Sequence, residues 1–111
     1  MLPNRKEIER WLNAEKTQLE PKLVGLGHWF HDNEGNGFGV SVTCFFGVSG
    51  EFHVTSEGKM SYCLGTYGGD EDEIRELEQL SAWTDVTKRF NEFIEAAERM
   101  DDEERGKRVK D

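Results

Sequence analysis

Between Gly35 and Tyr67 apolar and polar residues alternate, with few charges and with turn-forming residues at short intervals. Phe38, Val40, Val42, Cys44 and Phe46 occupy every second position, which in an extended chain places all five on one face. The pattern predicts a strand over Phe38–Phe46 with that face buried. Gly47-Val48-Ser49-Gly50 supplies a turn, and a strand over Glu51–Ser56 follows, with Phe52 and Val54 inward and Glu51, His53 and Thr55 outward. Glu57-Gly58 is a hairpin signal, after which Met60, Tyr62 and Leu64 form the inward face of another strand. Upstream, Val24, Leu26, His28 and Phe30 alternate with Leu23, Gly25, Gly27, Trp29 and His31, predicting a strand over Lys22–His31 that turns through Asp32–Gly37. Loops this short join antiparallel neighbours, so the four strands should form a meander.

The period changes at both ends. Asn4 and Glu7 have the spacing of a helix N-terminal cap, Ile8, Trp11, Leu12 and Leu19 recur at helical intervals, and Pro21 ends the run. Beyond Gly68-Gly69, Asp70 with Glu73 repeats the cap spacing ahead of Ile74, Leu77 and Leu80. A further cap signal at Thr84-Asp85 precedes the stripe Phe90, Phe93, Ile94, Ala97 and Met100. Residues 70–104 therefore read as one bent helix or two, with Ser81, Thr84 and Asp85 favouring a break because their side chains compete for backbone hydrogen bonds. The expected fold is α+β: a four-stranded antiparallel meander with an N-terminal helix and one or two C-terminal helices packed on its apolar face. It forms a single domain over residues 1–104, followed by a charged, fraying tail over 105–111.

Composition makes the aromatic residues important. Hydrophobic residues are 35% of the chain and charged residues 33%, so a core at this length depends on the three Trp, two Tyr and seven Phe. The net charge of −9 is concentrated: Asp70–Glu104 contains fourteen acidic and four basic residues, whereas Arg105–Asp111 contains four basic and one acidic. Such a surface repels phosphate backbones, which argues against direct nucleic-acid binding and for a partner with a basic surface. No apolar run approaches the roughly 18–20 residues of a membrane span, so a soluble cytoplasmic protein is the expectation.

Candidate chemistry is sparse. His28, His31, Cys44 and Cys63 include zinc-ligand types, but neither cysteine has a partner within four residues, unlike the close pairs of structural zinc sites. Cys63 and His53 fall on one face of neighbouring strands, yet nothing nearby would activate the thiol. Gly35-Asn36-Gly37-Phe38-Gly39 lies between strands, where a phosphate loop would run into a helix. Neither a metal, a cofactor nor a catalytic group is expected, and the two cysteines should be reduced.

Two features point instead to protein binding. Trp29, Phe45 and Tyr67 fall on the outward side of the sheet, and Glu92, Glu95 and Glu98 flank the apolar stripe of the last helix. The leading expectation is a non-catalytic, acidic inhibitor or adaptor that docks on a basic protein surface and competes there with nucleic acid. The second is a homodimeric secretion-chaperone-like or immunity-type partner protein. Small acidic secretion chaperones are similar in size and charge but carry a helix between strands where this meander runs on. The third is a small enzyme or ligand-binding domain with a pocket between sheet and helices.

Overall fold

The computed structural model describes residues 3–31, 37–66 and 71–109, excepting the side chains of 71, 72, 108 and 109. The chain opens with helix α1 (Arg5–Leu19), whose first turn is capped by the Asn4 side chain accepting from the Glu7 N–H at 3.0 Å. Pro21 sits in a short 3₁₀ turn, Glu20–Lys22, that closes this helix, as expected of a residue with no N–H to continue the ladder.

Five strands follow: β1 (Gly25–Phe30), β2 (Gly37–Thr43), β3 (Ser49–Thr55), β4 (Lys59–Gly65) and β5 (Glu71–Gln79). They pair antiparallel in the order β1-β2-β3-β4-β5. One long helix, α2 (Trp83–Val109), completes the chain. Gly58 has φ 84° and donates from its N–H to the Thr55 carbonyl at 3.0 Å. This is the tight β3–β4 hairpin that Glu57-Gly58 predicts.

Both helices cover one face of the sheet. Phe38, Val40 and Val42 of β2, Phe52 and Val54 of β3, and Met60, Tyr62 and Leu64 of β4 are buried there with Ile8 and Leu12 of α1. Helix α2 contributes Val86, Phe90, Phe93, Ile94, Ala97 and Met100. The Phe52 ring lies 5.4 Å from Phe90 and 5.7 Å from Phe93, while Trp11 joins the two helices by edge contacts at 4.9 Å to Phe90 and 5.0 Å to Trp83. Edge-to-face rings of this kind add to the stabilisation from burial alone.

Three expectations need correction. Residues 71–79 are a fifth strand where a helix is expected, so among the described residues the sheet has five strands and α2 is the one C-terminal helix. The residues are good helix formers, but a nine-residue helix is marginal in water. The open edge of β4 offers a full ladder of backbone bonds, and tertiary pairing overrides propensity. Second, β2 ends at Thr43, so Phe46 belongs to a turn and not to the strand's buried face. Third, residues 105–109 are helical, because α2 continues to Val109.

Strand β5 is turned inside out. Glu73, Arg75 and Glu78 pair with Leu64, Tyr62 and Met60, so they share the inner face and point toward α2. There Glu78 bonds Arg75 at 2.9 Å and Arg89 at 3.1 Å, Glu92 bonds Arg75 at 3.3 Å and Arg89 at 2.9 Å, and Glu73 bonds Arg99. Ile74 and Leu77 are left 57% and 59% exposed. Of the helix-spaced apolar residues that suggest a buried stripe, Ile74 and Leu77 thus fall outside the core and only Leu80 is buried.

Candidate partner-binding surface

The sheet and α2 meet again at the β2–β3 connection. Cys44 donates from its N–H to the Val48 carbonyl at 2.7 Å, and Gly47 has φ 99°, so the chain reverses within four residues. A long-range contact holds this turn against the helix: Asp101 Oδ1 accepts from the Phe46 N–H at 2.9 Å. Beneath the turn, Cys44 is buried and its Sγ lies 4.0 Å from the Ala97 carbonyl oxygen. Burial pushes the Cys44 thiol up to about 12, and the negative charges of Asp101 and Glu98 add to the effect. This thiol is a core group and not a nucleophile.

The turn, the 3₁₀ segment and α2 enclose a groove of about 310 Å³. Phe45 and Phe46 form one wall, and Glu98, Asp101 and Asp102 form another. Phe45 is 56% exposed, which is unusual for a ring on a turn that is itself pinned to the core. Two cations of the same chain lie at the rim, with Lys22 3.7 Å from Glu98 and Arg105 3.8 Å from Asp102. Both pairs are long and largely exposed, so each contributes little and is readily exchanged for another cation.

The sequence candidates do not converge on one site. Phe45 and Glu98 do meet, in this groove. Glu95 is exposed on α2. Glu92 is not outward: it is half-buried and committed to Arg75 and Arg89. Trp29 lies on the far face of the sheet, where its indole covers Gly39 and meets the His53 ring edge-on at 5.5 Å. Tyr67 falls outside the described residues. Sequence reasoning missed Asp101 and Asp102. The signal for Asp101 was present: it continues the spacing of Ile94 and Ala97, so the helix aims it at the buried side.

The other constellations are dispersed. Cys44 lies under α2, Cys63 faces the opposite side of the sheet opposite Glu51, and His28 and His31 are exposed. Among the described residues no group of three or more His, Cys, Asp or Glu is arranged to hold a metal ion. His53 lies opposite Ser61 and bonds Glu51 at 2.9 Å, so the acid stands between the imidazole and Cys63. A second concavity, about 460 Å³, spreads over this outer face and is lined by small residues such as Ser41, Thr43, Ser49 and Gly65. No helix among the described residues is long and apolar enough to cross a membrane. No family model, curated protein or solved structure matches the chain, so function has to be argued from these residues alone.

Proposed function

We propose that the protein is a non-catalytic binding domain that docks on a basic protein surface and receives an Arg or Lys side chain in the Phe45 groove. The observation that supports this reading is the pairing of an exposed, anchored aromatic ring with three carboxylates in one concavity. A guanidinium can stack on a phenyl face while its N–H groups bond carboxylate oxygens, and the two attractions reinforce each other in a partly desolvated groove. The surrounding negative charge would speed encounter with a basic partner. An inhibitor or adaptor that competes with nucleic acid for such a partner fits the same chemistry.

The test is an NMR titration of the labelled protein with an arginine-rich peptide, with a glutamate-rich peptide of equal length as control. Amide shifts should centre on Phe45, Phe46, Glu98 and Asp101 and should weaken as salt rises to physiological strength, where the screening length is about 8 Å. Phe45→Ala should lower the affinity without changing the fold. Shifts confined to the Trp29 face, or none at all with the basic peptide, would overturn the proposal.

A further inference from the structure

The sheet has two edges, and they differ in kind. The β5 edge runs Glu71–Gln79 and carries five acidic residues and one Arg, the charged pattern by which natural sheets block further pairing. The β1 edge has no such protection. Val24–Phe30 contains no Asp, Glu, Lys, Arg or Pro. Val24 is 62% exposed, Trp29 37%, and Gly27 and His28 are exposed as well.

Among the described residues no strand pairs with the outer side of β1. His31 donates from its N–H to the Gly37 carbonyl at 3.1 Å, so the odd-numbered residues of β1 turn their N–H and C=O groups toward β2. By alternation Leu26, His28 and Phe30 turn theirs outward, away from the sheet. Among the described residues nothing requires a glycine at position 25, whereas Gly27 faces a tight contact. Gly25 and Gly27 do not have positive φ, a Cβ at Gly25 would meet nothing within 4 Å, and one at Gly27 would meet only the Ser41 hydroxyl at 3.2 Å. Gly39 is different, because the Trp29 indole lies where its Cβ would be.

We propose that two copies of this chain pair antiparallel through their β1 strands, with the two-fold axis at His28, to make one continuous ten-stranded sheet. In that register Leu26 of one copy lies opposite Phe30 of the other on the helix-covered side. On the outer side Trp29 of one copy lies opposite Gly27 of the other, where there is room because each indole is already folded over Gly39 of its own chain. A second copy is the occupant because two chains of net charge −9 repel least along a strand that carries no acidic residue of its own, and the charge stacked on that strand, Arg5 over Phe30 at 4.5 Å, is a cation. An acidic or basic peptide would find no complementary charge on the strand. The β1 edge is six residues long and spans about 20 Å, short of what a standard interface of roughly 800 Å² per partner needs. The dimer therefore dissociates on dilution.

The experiment is sedimentation of the full chain from about 1 μM to about 1 mM, a range that brackets weak self-association. The average mass should rise toward twice that of the monomer, and more readily in salt, which screens the repulsion between two acidic copies. That dependence is opposite to the one expected for the groove, so the two proposals fail separately. His28→Glu and His28→Lys should each remain monomeric with unchanged circular dichroism, because like charges then face each other across the axis, and an equimolar mixture should recover the dimer. Leu77→Lys on β5 should not alter it. A parent chain that stays monomeric throughout, single variants that dimerise as the parent does, or a mixture that fails to recover association would each overturn the proposal.

Discussion

Asp101 and Phe46 are separated by 55 positions in the chain and joined by one hydrogen bond, the Phe46 N–H donating to Asp101 Oδ1 at 2.9 Å. Asp101 is 9% exposed, so the bond is sheltered from water. Asp101→Ala would leave a backbone donor without a partner, at a cost of about 1–3 kcal/mol. The melting temperature should fall, and the Phe45 turn should show faster amide exchange. Asp101→Asn keeps an acceptor and should lose less.

Val42 is 1% exposed between the sheet and the helices. Val42→Asp would bury a carboxylate with no partner, costing several kcal/mol against a typical domain stability of roughly 5–15 kcal/mol. The variant should lack a cooperative thermal transition. A melt within a few degrees of the parent would contradict the assignment of this face to the core.

The ion pairs between β5 and α2 predict an acid-sensitive fold. Hydrogen bonds from Arg75 and Arg89 hold the Glu78 carboxyl below its ordinary value of 4.5. A carboxyl whose folded-state value is depressed contributes stability that is complete above its unfolded value and is lost as pH falls through the folded one. Stability should therefore decline below about pH 4.5, and Glu78→Gln should flatten that decline while lowering stability at neutral pH. Thermal melts of both proteins between pH 3 and 7 make the comparison.

Charge reversal along α2 should separate structural from surface acids. Glu92→Lys would set a third cation against Arg75 and Arg89 and should lower stability by about 1 kcal/mol or more, above the range of a simple exposed pair. Glu95→Lys should leave the melt unchanged. Glu98→Lys should weaken binding of an arginine-rich peptide while the fold survives.

Thiol reactivity reports the two sides of the sheet. Cys44 is buried with its thiol raised to about 12, so in the native protein a thiol reagent should modify Cys63 first and Cys44 only on unfolding. Two equivalents should react in denaturant without prior reduction.

Local periodicity determined much of this fold. Alternation in β2, β3 and β4, the hairpin at Glu57-Gly58, the Asn4 cap and the Phe90–Met100 stripe are all imposed by neighbours in sequence, because a strand repeats every two residues and a helix every 3.6. A break at Ser81–Asp85 was legible from side chains that compete for backbone bonds, although it separates β5 from α2 and not two helices. Asp85 reaches back to accept from the Ser81 and Ala82 N–H groups, each at 3.2 Å, which closes the first turn of α2.

Tertiary structure decided β5 and the groove. Residues 71–79 have helix-forming side chains and helix-like spacing, and only the unpaired edge of β4 makes them a strand. Once they pair, register dictates that Glu73, Arg75 and Glu78 face α2 and that Ile74 and Leu77 face outward, which also removes Glu92 from the exposed acids. The meeting of Phe45 with Glu98 and Asp101 has the same origin. Each lies in an element that sequence delimits well, but their proximity depends on where α2 crosses the β2–β3 turn, a distance set by packing across more than fifty residues and carried by no local pattern.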